Sequence, residues 1–444
     1  MKKRQRIGHF TSHQLYRDDL LPAIRKFLPR RGLELQARDN RVRWTDRLLV
    51  VMAILVNWHI PSNLTEVFES CWHVVAGMYP TRRRVGVTYN GFIAALVKRS
   101  PRLLEIMAKA LRKAVRQLAG EAHWRTQGWV VMGVDGSRIN CPRTVANEAA
   151  FGCAGRAKTA PQQFITTVLH VGTSLVWDWR RGGGKEAERT HLRDMIDTLP
   201  KGSLLLADAG FTGYELMRTL IAGGRSFVIR AGGNVKLLKN LGLYVREHDG
   251  IVYLWPATHR DQEPLVLRRV ILEGQKKPIH LLTNVLDETS LSDSQVAEMY
   301  RSRWGLEVFF RSLKRTMRKH KLSSKSPARA QVELDWSMVG IWMLGLLTLE
   351  RLLYRGASPS DWSVAKSLNV IRRVLSGRGG HKAAATLRNL GKAVKDNYRR
   401  KGPKATRPWP RPKKLQPPNP PKTRTATLAE AQSAKRVKET INAA

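Results

Sequence analysis

The stretch Trp129-Val130-Val131-Met132-Gly133-Val134-Asp135-Gly136 is where the character of the sequence changes. An apolar run that stops at an aspartate and a glycine predicts a short buried β-strand. The segment Ser203–Ala207 repeats this pattern and stops at Asp208. Further strands are predicted at Gln163–Val171, Ser174–Trp179 and Phe227–Ile229. Helices are predicted at Glu186–Leu199 and Tyr214–Ala222. Three strands, then helix, strand, helix and strand predict an α/β fold with a mixed sheet flanked by helices.

The regions on either side of this core differ in composition. Residues 1–125 have apolar residues at three-to-four spacing with basic residues between them, which predicts a helical domain that binds DNA. The core domain is expected at 126–350, with a β-rich section at 231–290. A helical region is expected at 351–398, and a basic, proline-rich tail at 399–444 that is disordered or extended.

The charge of the chain indicates its partner. Lys and Arg number 78 against 35 Asp and Glu, which gives a formal net charge of +43. A surface this positive repels itself unless it meets a polyanion, and nucleic-acid phosphates are the usual one. The alternative is a ribosome-associated or merely soluble basic protein.

Cysteine content and hydropathy bear on where the protein acts. Three cysteines without C-x-x-C spacing fit neither a disulfide framework nor a zinc ribbon. The basic N-terminus lacks the apolar stretch of a secretion signal. The longest apolar stretch, Trp336–Leu349, is shorter than the roughly 20 residues of a membrane span and predicts a buried helix. We therefore expect a cytoplasmic, nucleoid-associated protein with no membrane partner.

A helix predicted to begin near Ser292 carries the most informative residues. Ser292-x-x-Gln295 has the spacing of a capping box. At roughly 100° per residue, four polar side chains fall within an arc of about 60°. These side chains are Tyr300, Arg303, Glu307 and Lys314. The neighbouring arc is apolar, so the helix presents one carboxylate, two cations and a phenol beside its buried face. Ordinary ion pairing along a helix would explain the charges equally well.

Asp135, Asp208 and Glu307 together form a set of three carboxylates. Each aspartate alone could belong to a turn, because Asp-Gly and Asp-Ala-Gly are common turn sequences. As a set, however, they offer the hard oxygen ligands that Mg²⁺ or Mn²⁺ prefers. Such a set can hold two ions about 4 Å apart, which is the arrangement that in-line displacement at a phosphodiester needs. Arg303 and Lys314 would then contact DNA phosphates.

The same residues resemble a known family. Tyr300, Arg303, Glu307 and Lys314 match the Y-x2-R-x3-E-x6-K signature of insertion-sequence DDE transposases of the IS-four type. Val134–Ile139 and Leu206–Phe211 look like the segments that carry the first and second aspartates of that family, and Asn147–Gly152 resembles the segment after the first. The resemblance covers roughly residues 129–320, and a signature of four residues at fixed spacing is highly specific.

The resemblance implies an RNase H-like catalytic core with a β-rich insertion between the second aspartate and the glutamate. It implies cut-and-paste transposition by a homodimer that binds double-stranded DNA, both the element ends and the target. Asp135, Asp208 and Glu307 would be the catalytic metal ligands, and Tyr300, Arg303 and Lys314 would hold DNA near the cleavage point. Ala209 departs from the family, which often has arginine there, so one supporting contact is in doubt.

Two tryptophans are candidates for a further role. Some members of this family release the element through a DNA hairpin and stack a flipped base on a tryptophan of the insertion. An aromatic platform can offset the few kcal/mol that unstacking a base costs. Trp255 is the candidate in the insertion, although a strand tryptophan is more often part of the core, and Trp304 is the second candidate.

Two other functions are compatible with the sequence. An RNase H-like nuclease or domesticated relative would use the same three carboxylates without strand transfer. A basic DNA-binding protein without enzymatic activity would keep the carboxylates as structural residues. Replacement of Asp135 or Glu307 separates the last case, because only an enzyme would lose a cleavage activity.

Overall fold

The computed structural model describes residues 20–29, 31–33, 42–59, 63–78, 85–153, 160–274, 277–376, 387–396 and 419–443. Within them the α-helices are α1 Leu21–Phe27, α2 Asp46–Trp58, α3 Leu64–Met78, α4 Tyr89–Trp124, α5 Val145–Phe151, α6 Glu188–Arg193, α7 Tyr214–Ala222, α8 Asp293–Ser302, α9 Trp304–Arg311, α10 Pro327–Tyr354, α11 Val364–Leu375 and α12 Leu428–Ala443. The strands are β1 Val130–Asn140, β2 Gln162–His170, β3 Leu175–Gly183, β4 Ser203–Ala207, β5 Ser226–Ala231, β6 Lys236–Lys239, β7 Ile251–Leu254, β8 Leu265–Leu272, β9 Ile279–Thr283 and β10 Lys422–Thr425.

The ten strands form one mixed sheet in the order β10-β6-β7-β8-β9-β5-β4-β1-β2-β3. The pairs β1–β4 and β4–β5 are parallel, whereas β2–β3 is antiparallel. The partial order β3-β2-β1-β4-β5 is that of an RNase H-like core, so the mixed sheet expected from the sequence is confirmed. Beyond β5 the sheet continues with β9, β8, β7 and β6. These four strands pair antiparallel with one another and form the β-rich insertion.

The chain divides into two compact units. Unit 1 comprises residues 1–124, 136–186 and 307–395, and unit 2 comprises 125–135, 187–306 and 396–444. Strand β1 therefore contributes to both.

Unit 1 is organised around α10. Nineteen residues of α10 are buried, among them the whole run from Leu334 to Leu349. Hydrogen bonds fix its neighbours: the Trp58 indole donates to the Gly340 carbonyl at 2.9 Å, and the Trp336 indole donates to Ser100 Oγ at 2.8 Å. Gly340 is required by close packing, because a Cβ there would lie 2.9 Å from the Cβ of Asn57. The helix predicted around Trp336–Leu349 is thus the central element of this unit.

Helix α10 also has the length and apolar composition of a membrane span, the only such helix in the described part of the chain. However, 94% of its apolar window is buried inside the protein. Its hydrophobicity is therefore used for packing against other helices, as in the core of a globular unit.

The C-terminal segment differs from the expectation of a disordered or extended tail. Residues 397–418 lie outside the described residues, but β10 pairs in parallel with β6, and α12 follows it. Ala434 of α12 is fully buried in a cluster with Leu238, Ile251 and Trp255. The alanine-rich run after Leu428 is a good helix former, and its few apolar residues gain stability from packing on the insertion.

We predict that Asp335→Ala destabilises unit 1 by about 3–5 kcal/mol, the usual result of removing one partner of a buried ion pair. Asp335 is buried and accepts hydrogen bonds from Trp179 Nε1 at 2.9 Å and Arg181 Nε at 2.8 Å. Urea unfolding measures the change. Glu105→Ala is the matched control, because Glu105 pairs with Lys109 at the exposed surface of a helix, where an ion pair contributes little to stability. Equal effects of both substitutions would contradict the prediction.

Candidate active site

The parallel pairing of β1 with β4 aligns the two aspartates in the sheet. Gly133 pairs with Leu206, and the same register carried two residues further sets Asp135 opposite Asp208. Adjacent strands lie about 4.8 Å apart, and side chains at matching positions of a sheet point to the same face. On this register the two aspartates are expected side by side on one face of the sheet. Asp135 is within β1, not at its end as the sequence predicted, since the strand continues to Asn140.

Asp208 follows β4 directly, as the sequence predicted. Its backbone is still extended, with φ −84° and ψ −176°, and its side chain caps the short 3₁₀ turn Ala209–Phe211 by accepting from Gly210 N at 2.8 Å. A Cβ on Gly210 would lie 3.0 Å from Asp208 Oδ1 and 3.2 Å from Glu188 Oε2. Glycine thus leaves room for two carboxylates beside this turn, and Glu188 is a neighbour that the sequence did not indicate.

The helix that carries the signature begins as predicted. Ser292 and Gln295 form a complete capping box at the start of α8. The apolar arc beside the signature is buried, and it comprises Met299, Leu306, Phe309, Phe310, Leu313 and Met317.

The signature is nevertheless not on one regular helix. Arg303 lies at the junction of α8 and α9, and Lys314 is on a π-helix at Ser312–Thr316. The i to i+5 bond from Met317 N to Ser312 O, at 3.0 Å, replaces the usual i to i+4 pattern. The expected arc, which assumed 100° per residue throughout, is therefore wrong for Lys314.

Unit 2 brings together Asp135, Asp208, Tyr300 and Arg303. Arg303 Nη1 lies 3.9 Å from Asp135 Oδ2, and the side chains of both residues are 17% exposed. The Arg303 guanidinium also lies over the Tyr300 ring, 5.7 Å from its centroid. Burial raises the pKa of Tyr300 above its ordinary value, the positive charges of Arg303 and Arg230 oppose this, and the negative charge of Asp208 adds to it. The phenol is thus protonated at neutral pH. Glu307 and Lys314 belong to unit 1.

Arg230, at the end of β5, is a functional candidate that sequence reasoning missed. Its charge acts on Tyr300, and its backbone carbonyl accepts from Thr212 Oγ1 at 2.7 Å, four residues beyond Asp208. The only signal in the sequence was one arginine after the apolar run Phe227–Ile229. One arginine among 78 basic residues could not be distinguished on that ground.

The two tryptophans occupy opposite environments. Trp304 is 60% exposed at the start of α9, next to Arg303 in the chain. Trp255 is 3% exposed in the core of the insertion, its indole donates to the Gln262 carbonyl, and Arg260 covers its ring at 4.1 Å from the centroid. Trp255 serves packing in this structure, and a DNA contact by either residue stays a prediction.

The donor chemistry of Asp135 and Asp208 fits a divalent metal ion. A carboxylate on β1 and one directly after β4 supply hard oxygen ligands, and Mg²⁺ is commonly held by one or two carboxylates plus water and substrate phosphates. Within the described residues no three His, Cys, Asp or Glu side chains form a group that could hold a metal ion. The two aspartates are therefore the part of the ligand set that the fold itself places together.

We predict that Tyr300 ionises above the ordinary value of about 10 for tyrosine. The absorbance titration of Tyr300→Phe should lack one ionisation step of the wild type, and that step should lie above pH 10. In urea the missing step should return to about 10, because burial is its main cause. Since the folded pKa is raised, ionisation of Tyr300 disfavours the folded state as the pH rises above about 10. A missing step at or below the ordinary value would refute the buried environment.

Comparison with known proteins gives a consistent result. Residues 130–343 match the family model of the transposase DDE domain. The chain is 25% identical over 273 residues to transposase InsG for insertion sequence element IS4 of Escherichia coli strain K12, a match that covers 57% of this chain and 60% of that protein. A relative named for insertion sequence element IS4SA of Synechocystis sp. is 21% identical over 173 residues, covering 38% of this chain and 48% of its own.

The matches thus span less than two thirds of the length of these relatives. A solved structure of the piggyBac transposase synaptic complex with hairpin DNA aligns over 87% of this chain and 85% of its own, with 11% identity and a TM-score of 0.42. The family match covers both strand aspartates and the helix glutamate. Residues 130–343, just under half of the chain, thus match the transposase DDE domain, and the chain is similar to the transposase of insertion sequence element IS4.

Proposed function

We propose that this chain is a DNA transposase that cuts an insertion sequence out of double-stranded DNA and joins it to target DNA. The observation that carries the proposal is the parallel β1–β4 pairing, whose last pair, Gly133 with Leu206, lies two residues before Asp135 and Asp208 inside the region that matches the transposase DDE domain. A purely structural role gives no reason for two acids to share one face of the sheet there. The phosphodiester is the substrate that the net charge of +43 also favours.

We propose Asp135, Asp208 and Glu307 as the ligands of Mg²⁺ or Mn²⁺, with two ions at the site. Such ions, when bound, activate the attacking oxygen and stabilise the leaving oxygen of a phosphodiester displacement. The carboxylates contribute negative charge to hold the cations. Arg303, close to Asp135, limits the mutual repulsion of the acids when no cation neutralises them.

The remaining signature residues are proposed to bind the DNA backbone. Tyr300 keeps its proton, so its hydroxyl can donate a hydrogen bond to a phosphate oxygen. Arg303 and Lys314 are cations, and charge-assisted bonds to phosphate are the strong ones. Binding the strand on both sides of the cleavage point would fix the scissile phosphorus against the attacking oxygen.

We further propose that the protein acts as a homodimer on paired element ends, in the cytoplasm and associated with the nucleoid. Cut-and-paste transposition requires both ends to be cut and joined to the target together, for which two copies of one active site suffice. The basic composition supports residence on DNA.

We predict that Asp135→Asn, Asp208→Asn and Glu307→Gln each reduce cleavage of DNA with the element ends to background while DNA binding is retained. The amides keep the size of the side chains but lose the charge that holds the cations. Gel analysis of end-labelled DNA measures cleavage, and a mobility shift measures binding. Glu298→Gln is the matched control, because Glu298 is exposed on α8 and contacts Gln127. Full cleavage by any of the three variants would refute the ligand role of that residue.

We predict that wild-type protein joins the element ends to a target plasmid only with Mg²⁺ or Mn²⁺, and that a chelator abolishes the reaction. Readdition of the metal ion after chelation should restore it. Cleavage without any joined product would identify a nuclease instead of a transposase. Binding without cleavage under every metal condition would leave a non-enzymatic DNA-binding protein.

A further inference from the structure

Unit 2 contains a cavity of about 670 Å³ outside the candidate active site. It is lined by residues after the Asp208 turn, by the insertion strands β6 and β7, and by the C-terminal strand β10. Its size is within the range of small-ligand sites. The lining includes the apolar residues Leu254 and Trp255 as well as charged side chains.

The charge of the lining has one sign. Among the described residues that line the cavity, the ionisable ones besides Tyr214 are Lys236, Arg260, Lys422 and Arg424, and none is acidic. Glu430 of α12, which is not part of the lining, accepts hydrogen bonds from both arginines: from Arg424 Nη1 and Nη2 at 2.8 and 2.7 Å, and from Arg260 Nη2 at 2.9 Å. One carboxylate among four cations leaves a positive surplus. A concave surface with surplus positive charge attracts anions.

Arg260 is held ready to bind such an anion. Its guanidinium lies on the Trp255 ring and is anchored by Glu430 through Nη2, which fixes its plane. Its Nη1 is buried and has no hydrogen-bond partner among the described residues. A buried donor without a partner is unfavourable, and a hydrogen bond to an anion would remove that cost.

The cavity is close to the catalytic turn along the chain. Thr212, which lines it, is four residues beyond Asp208, and the 3₁₀ turn Ala209–Phe211 joins the two. The Thr212 hydroxyl donates to the Arg230 carbonyl, so this wall is tied to β5. An anion in the cavity would therefore be held by the same loop that carries Asp208.

We propose that this cavity binds the phosphodiester backbone of DNA, and that the C-terminal strand β10 completes it through Lys422 and Arg424. The inference rests on the proposed function, and it adds a DNA contact outside the four-residue signature. It assigns to the C-terminal segment, beyond the undescribed residues 397–418, a part in substrate binding. Duplex DNA is the stated ligand, and free phosphate is the alternative source of the same chemistry.

We expect the full-length double variant Lys236→Gln with Lys422→Gln to bind a duplex with a lower salt dependence than the wild type. Each lost phosphate contact lowers the slope of log K against log salt by about 0.9, so the double variant should lose about 2. The matched control is Lys435→Gln with Lys438→Gln, which removes the same charge from exposed positions of α12. Its slope should stay within about half a contact of the wild type.

Lysine acylation of the wild-type protein gives a readout that needs no variant. Duplex DNA should protect Lys236 and Lys422 from modification and leave Lys435 and Lys438 reactive, as measured by peptide mass spectrometry. If inorganic phosphate protects as well as duplex at equal phosphate concentration, the cavity binds free anions and the backbone proposal is wrong. Equal slopes for the two double variants, with no selective protection, would also overturn it. Wild-type protein that fails to bind or cut DNA at all would instead count against the transposase itself.

Discussion

Parallel pairing between β1 and β4 is the constraint on which the candidate active site depends. A slip of one residue in this register would turn Asp135 to the opposite face of the sheet from Asp208. The pairing is held by burial as well as by hydrogen bonds, because every residue of β4 and the apolar half of β1 are buried. The apolar runs that precede the aspartates are therefore the means by which the two carboxylates come together. Tyr300 and Arg303 add charge and hydrogen-bonding groups around acids whose position the sheet has already set.

The sequence predicted the succession of core strands along the chain because their apolar runs are short and clearly bounded. It also located Asp208, the capping box at Ser292 and the buried face of the helices after it. It misjudged Asp135, because a strand can continue past an acid when the acid faces a polar site. It misjudged Lys314, because nothing in the local sequence distinguishes a π-helix from an α-helix when long-range packing decides between them.

Other features depend on contacts between residues far apart in the chain. Arg230 became a candidate only when its charge was found to act on Tyr300. Helix α12 was not predicted, because the stretch before it is basic and proline-rich. Its buried residue Ala434 packs on residues of the insertion that lie about 180 positions earlier in the chain. Periodicity within a short window cannot report such contacts. The excess of cations is also visible in the ion pairs. Asp46, Asp178 and Glu430 each pair with two arginines. One acid therefore often compensates only half of the positive charge beside it.

Strand β10 closes one edge of the sheet with an unusual composition for a strand. Lys422 and Arg424 are exposed on it, and repelling cations keep an outer strand from pairing with another molecule. A product of premature termination before residue 419 would uncover β6 and the apolar surface that Ala434 covers. Such fragments would present an unprotected template for intermolecular strand addition and would therefore be prone to aggregate.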